Sequence, residues 1–222
     1  MKPIFLGEVY DILPLNNGIV FSYCKEKTEE NVTVAYKMIS FDNGRFTDVA
    51  KNIYLLTKFG NNYRAIAPRC ENYITAKAVL LPNGGAFVLE DGGKACLIDA
   101  DSSPIWTGEM IYRGQTAADV MLYKNVIWAC YPACNVLLRY NLSTMREEMR
   151  IGGNQSPFDQ PVALFCRGDE VMVSNKGSQK LIRFHLKNYS VFEEESFEEP
   201  LYQYVCVDDK RFVLLQSGLY LI

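Results

Sequence analysis

NVIWACYPACNVLLRYNLST, residues 125–144, consists of two apolar runs joined by a Pro-containing turn, and its pattern returns 44 residues later as DEVMVSNKGSQKLIRFHLKN at 169–188. Recurrence at a near-constant period marks a repeat architecture and governs how any single segment is read. On the second run, LLRYNLST (137–144) matches LIRFHLKN (181–188), CLIDADSS (96–103) lies 41 residues before the first of these, and MISFDNGR (38–45) is an earlier copy. On the first run, GIVFSYC from Gly18, GGAFVLE from Gly84, NVIWACY from Asn125, DEVMVSN from Asp169 and KRFVLLQ from Lys210 follow in steps of 66, 41, 44 and 41.

Each first run follows another short apolar segment and a tight polar turn, as in ILPL before Asn16-Asn17-Gly18 and YVCV before Asp208-Asp209-Lys210. Asn-Gly and Gly-Asp pairs supply the backbone freedom that hairpin turns need. A fourth, more polar strand is expected in the internal units at 45–49, 105–112, 145–151 and 189–194. Four short antiparallel strands per repeat, apolar on both faces of the inner ones, describe a sheet stacked between two others, which is the blade of a β-propeller. The 222 residues have room for five such blades, as one domain over 1–222.

The last unit ends after a stub of its third strand at 219–222, while residues 4–9 precede the first unit and belong to none. They are expected to supply the missing outer strand, so that the ring closes and no sheet edge is left open. About 22 residues beyond the period fall within 52–73, where NIYLLTKFG and YRAIAP read as a further hairpin or as half of a sixth, degenerate blade.

In its alternating third strands followed by a polar turn, LLRYNLST and LIRFHLKN, the chain resembles the WD40, NHL and YVTN propeller superfamily over nearly its whole length. The resemblance implies a propeller that serves as a binding platform. It brings no activity with it, since no Trp-Asp pair ends a third strand, no Gly-His opens a blade and no YVTN tetrapeptide occurs.

A net charge of −3 with pI near 5.4 leaves no basic stripe for phosphates, so nucleic acid is not expected as a partner. The opening MKPIFLGEVYDILPL is broken by Gly7, Glu8 and Asp11, so it reads neither as a signal peptide nor as a membrane span. Seven cysteines, an odd number without paired CxxC spacing, point to a reducing, cytoplasmic compartment and to no zinc site. Neither a metal nor a cofactor is called for.

Asp119 is the conspicuous carboxylate. Six residues before each second run stand Ile12, Ala78, Asp119, Ala163 and Tyr204, so a charge occupies a position that is otherwise small or apolar. First strands line a propeller's axial channel, where a carboxylate could hold a ligand or act as a base. The other reading is that Asp119 caps the loop at 115–118. The connections between fourth and first strands, together with those between second and third, form one face of the ring. Arg113, Gln115, Tyr131, Asn154, Gln155, Asp159 and Asn175 are expected to converge there, and Asp91 joins Asp11, Asp119 and Asp159 as a possible axial acid.

Three other features have plainer readings. Cys130 and Cys134 in CYPAC read as buried free thiols rather than a redox pair. His185, the only histidine, reads as a polar residue on a rim, and EEESFEE at 193–199 as a solvated loop with Phe197 as a candidate partner anchor. The function expected is a non-catalytic binding propeller that engages a protein or small ligand through one loop face. The alternatives are a carbohydrate-active, glycosidase-like propeller using axial carboxylates, and a sugar-binding lectin.

Overall fold

The computed structural model describes residues 1–66 and 76–222. The chain begins with β1 (Lys2–Leu6) and then builds blade 1 from β2 (Val9–Leu15), β3 (Gly18–Lys27), β4 (Val32–Ser40) and β5 (Phe46–Asp48). Two helices follow, α1 (Lys51–Phe59) and α2 (Tyr63–Ile66). Blade 2 comprises β6 (Lys77–Leu80), β7 (Ala86–Leu89), β8 (Lys94–Ile98) and β9 (Pro104–Glu109), and a small hairpin, β10 (Ile111–Tyr112) and β11 (Gln115–Thr116), leads out of it. Blade 3 is β12 (Asp119–Tyr123), β13 (Val126–Tyr131), β14 (Val136–Asn141) and β15 (Glu147–Gly152). Blade 4 is β16 (Pro161–Arg167), β17 (Glu170–Asn175), β18 (Lys180–His185) and β19 (Val191–Ser196). Blade 5 is β20 (Leu201–Val207), β21 (Lys210–Leu215) and β22 (Gly218–Leu221), completed by β1. These are five four-stranded antiparallel sheets in a ring, the β-propeller that the repeat implies.

The alternation within β13 shows why the blades stack. Ile127, Ala129 and Tyr131 face the cluster shared with blade 2, around Phe87 and Leu97, while Trp128 and Cys130 face the cluster shared with blade 4, around Val173 and Phe184. A strand buried on both sides must be apolar at both phases of its period-two pattern. Turn chemistry does the rest: Asp208 and Asp209 both take positive φ, the conformation a two-residue type I′ hairpin requires.

Closure is by β1, which pairs antiparallel with β22 from Lys2 opposite Leu221 to Leu6 opposite Gly218. The N-terminal strand therefore completes the last blade as expected. It does so with Lys2–Leu6, whereas Val9 opens β2.

The extra segment in 52–73 differs from the expected hairpin. NIYLLTKFG is helical, with Tyr54, Leu55, Lys58 and Phe59 buried at helical spacing and Gly60, φ 61°, stopping it. Residues 67–75, which include Cys70 and the end of YRAIAP, lie outside the described residues. The inner strands adjoin in the order β6, β12, β16, β20, β2, and α1 stands as a wedge between β2 and β6. Its Tyr54, Leu55 and Phe59 join Val20 and Tyr36 of blade 1 to Val88 and Ile98 of blade 2 in one cluster.

Candidate functional site

Five residues occupy one level of the axial channel, paired four positions before the end of the inner strand in four blades and three before it in β6: Asp11 opposite Ser22, Lys77 opposite Leu89, Asp119 opposite Cys130, Ala163 opposite Ser174 and Gln203 opposite Leu214. Hydrogen-bond register thus replaces Ile12, Ala78 and Tyr204 of the sequence count by Asp11, Lys77 and Gln203. The second strands do not start alike: Gly18 and Lys210 are the first paired residues of their strands, whereas Asn125 and Asp169 are turn residues, so equal sequence offsets fall on different registers. In blade 2 the turn is longer, with Leu81 bonded to Gly85 across three residues.

The level is charged, and α1 adds to it. Lys58, buried, donates to Asp11 Oδ2 at 2.8 Å, and the Tyr54 hydroxyl donates to the same oxygen at 2.9 Å. Gln203 Nε2 donates to Asp11 Oδ1 at 3.1 Å, and Lys77 stands 3.5 Å from that oxygen. Burial works against ionisation of Asp11, but Lys58 and Lys77 outweigh it and hold the carboxyl below the usual range. Burial pushes Lys58 down, offset in part by Asp11; it works against Lys77 too, yet Asp11 and Asp119 keep that ammonium above its ordinary value. Burial pushes Asp119 up, and Lys77 and the Leu164 N–H offset this only in part.

Asp119 does not cap its own loop. Its Oδ2 accepts the N–H of Leu164, in the inner strand of the next blade, at 2.8 Å. Gln203 does the same at the junction of blades 5 and 1, its Oε1 accepting the Ile12 N–H at 2.9 Å. Leu164 and Ile12 each follow the axial-level residue of their own strand. An inner strand turns one edge to the channel, so these N–H groups lack a sheet partner and take a side-chain acceptor instead.

Above this level is the loop face. Tyr10, Val162 and Tyr202 are bulged out of β2, β16 and β20, each just before the axial level. A cavity of about 460 Å³ opens at the mouth between blades 2 and 3, and among its lining residues are Tyr10, Lys77, Glu90, Asp91, Gln115 and Pro132. A second, of about 610 Å³, lies toward blade 5 beside Glu8, Tyr10, Tyr202, Gln216 and Ser217. Burial, with Cys24 beside it, pushes the Tyr10 phenol well up, so it stays neutral.

Of the residues singled out from sequence, Gln115 and Asp91 come together in the first cavity, and Asp119 and Asp11 in the axial channel beneath it. Arg113 lies at the tip of the β10–β11 hairpin with its guanidinium over the Tyr112 ring, and Asn154 and Gln155 are exposed on the loop before blade 4. Asn175 is 0% exposed: its Oδ1 accepts the Asp159 N–H at 3.0 Å and its Nδ2 donates to Val173 O at 3.0 Å. Asp159 packs its carboxylate against Gly177, where any Cβ would meet it at 2.6 Å. Tyr131, also 0% exposed, shares a 2.8 Å hydrogen bond with Tyr140 of the same blade, on the face that packs against blade 2. The missed residues are Lys77, Lys58, Tyr54 and Gln203 at the axial level and Tyr10 and Glu90 at the mouth. The bulge that presents Tyr10 leaves no mark in a period-two pattern.

The remaining motifs are structural. Cys130 faces blade 4 and Cys134 packs against the cluster of blade 2, so the two thiols lie on opposite sides of their sheet. His185 stacks on Phe192 at 4.2 Å. EEESFEE is solvated in part, with Glu194, Ser196 and Glu198 exposed, but its first half is the end of β19 and not a loop: Glu194 pairs with Lys180, Glu195 with Arg211, and Glu199 accepts the Ser217 N–H, while Phe197 packs against the core of blades 4 and 5. The Glu193 side chain lies outside the description.

These features define a five-bladed β-propeller with a charged axial level and an open loop face. No family model matches the chain, and no curated protein matches it either. Among solved structures 1093 chains match, a breadth that speaks for the fold and not for any one function. They include the WD40 β-propeller domain of Doa1 (10% identity, TM-score 0.54, covering 96% of this chain and 62% of that one). Sqt1 of Saccharomyces cerevisiae (11%, 0.51, 95% and 57%) and a protein of unknown function from Bacteroides caccae (12%, 0.50, 95% and 72%) are similar too. The chain thus spans less than two thirds of the Doa1 and Sqt1 structures.

Proposed function

We propose that the protein is a non-catalytic binding propeller, a single domain that engages a protein or small ligand through the loop face around the channel mouth. The observation that carries this reading is the division of labour between the two levels. At the axis both carboxylates are committed, Asp11 to Lys58, Tyr54, Lys77 and Gln203, and Asp119 to Leu164. At the mouth, Gln115 and Asp91 border an open cavity together with Tyr10 and Lys77. A glycosidase needs one carboxyl free to donate a proton and another free to attack or to activate water, and the donors around Asp11 oppose that use. The fold shared with WD40 domains favours a protein partner over a sugar. The odd cysteine count favours the cytoplasm.

The experiment is site-specific photo-crosslinking in the source cells, with benzoylphenylalanine placed at Gln115 on the loop face or at Asn125 on the opposite face. A discrete adduct formed from position 115 and absent from position 125 supports the reading. Adducts from position 125 alone, or from neither, overturn it.

A further inference from the structure

The two mouth cavities share one wall, Tyr10. Tyr10 and Tyr202 occupy the same bulged position in adjacent blades 1 and 5, so both are released from strand pairing at the rim of the channel. Bulges of this kind re-aim side chains, and they concentrate beside binding sites. Acids stand on both sides of Tyr10: Glu8 in the cavity toward blade 5, Glu90 and Asp91 in the cavity toward blade 2. Among the described residues neither Glu90 nor Asp91 has an ion-pair partner; Asp91 accepts only the N–H of Gly92, its own neighbour, at 3.0 Å. Glu8 is held by Lys27 at 3.2 Å, but both side chains are half exposed, where such a pair is weak and exchangeable. Among the described residues Lys77 is the one cation lining either cavity, and its charge is directed at Asp11 on the same axial level. Of the described residues, the linings therefore hold two carboxylates without a counter-ion, Glu90 and Asp91, and a third, Glu8, in an exposed pair with Lys27, against one ammonium committed to Asp11. The chain itself shows what the aromatic rim takes, for Lys176 Nζ lies 5.2 Å from the centre of the Tyr202 ring.

We propose that the two cavities form one groove for an extended, basic segment of a partner protein, with one cationic side chain in each cavity on either side of the Tyr10 ring. This rests on the loop-face reading above and gives the partner a chemical class. Glu90 and Asp91, unpaired in the free protein, gain a counter-charge on binding, Glu8 exchanges its exposed pair with Lys27 for one with the incoming cation, and the tyrosine faces cover the apolar stems of Arg or Lys. Attraction of this kind is screened by salt.

The test is isothermal titration with a capped Gly-Arg-Gly-Arg-Gly peptide and with its neutral counterpart carrying citrulline in place of arginine. Saturable binding of the arginine peptide is expected, weakened about tenfold or more by citrulline and again in about 0.5 M NaCl. The double variant E90Q/D91N, both positions being at the rim, is expected to melt as the parent does while binding about fivefold or more weakly. Equal binding of the two peptides, unchanged binding by E90Q/D91N, or no saturable heat overturns the proposal. If an adduct still forms from position 115 when the arginine peptide fails, the basic partner class is wrong and the loop face stands. If position 115 gives no adduct, the face itself is wrong.

Discussion

Gln203 and Ile12 exchange two hydrogen bonds across the junction of blades 5 and 1: the Ile12 N–H donates to Gln203 Oε1 at 2.9 Å, and Gln203 Nε2 donates to Ile12 O at 2.9 Å. Asp119 and Leu164 make the corresponding contact between blades 3 and 4. A side chain at the axial level thus reads the backbone of the next inner strand, in the part of each blade where sheet pairing has run out.

Replacing Gln203 by Leu keeps the volume and removes both partners of Ile12. Two half-buried backbone groups are left unpaired, at a cost of about 1–3 kcal/mol each. Urea unfolding of Q203L is expected to show a clearly lower midpoint, and a midpoint equal to that of the parent would deny the contact its role.

Lys58 and Asp11 form a buried pair, each side chain 2% exposed. K58M leaves Asp11 with Lys77 as its counter-charge and with the Tyr54 and Gln203 donors, so it is expected to lose less than the roughly 3–5 kcal/mol of a fully stranded buried charge. A D11L/K58M double variant replaces that pair by apolar groups and leaves Lys77 with Asp119 as its counter-charge, so it should recover part of that loss. A double variant no more stable than K58M would show that the pair is worth more than its replacement.

The two axial acids pull the pH profile in opposite directions. Asp11, held below the usual carboxylate range, contributes stability that is full above its unfolded pKa of about 3.9 and is lost as pH falls through its folded value. Asp119, pushed up by burial, contributes stability that is full below about pH 3.9 and is lost as pH rises through its raised value. D119N keeps an acceptor for Leu164 and removes the charge, so its melting temperature at pH 7 should equal or exceed that of the parent, with a smaller gain on mild acidification. D119A, which loses the acceptor, should fall by about 1–3 kcal/mol.

Deleting residues 1–6 removes β1 and bares the edge of β22. Several kcal/mol of strand pairing and packing should go with it, lowering the melting temperature by on the order of 10 °C in a chain of this size, and the open edge should promote aggregation. Scanning calorimetry with light scattering reads both outcomes.

Cys130 is 0% exposed, and burial drives its thiol well above the ordinary value. In a thiol titration of the native protein it should remain unlabelled until urea unfolds the chain. Cys134, half-buried on the other side of the sheet, should never form a rapid disulfide with it.

The sequence by itself determined the repeat, the four strands of a blade and the closure by an N-terminal strand, because all three follow from local pattern; it left 52–73 open between a hairpin and half of a sixth blade, and the tertiary structure decided for five blades. Period-two alternation fixes a strand, Asx and Gly turns fix a hairpin, and a step of 41 to 44 residues fixes the repeat. Reading the helix was within reach, since Tyr54, Leu55, Lys58 and Phe59 recur at helical spacing, but NIYLLTKFG is apolar enough to pass for a strand, and burial of Lys58 has no local signature. Asp119 stood out in sequence for its charge, yet its partner Leu164 lies 45 residues away. The axial level, the acid-lined groove and the pairing of Lys58 with Asp11 were settled only by tertiary structure. Each depends on which residues of separate blades arrive at one height around a shared axis, and one extra turn residue or one bulge changes that height while leaving the period of the sequence intact.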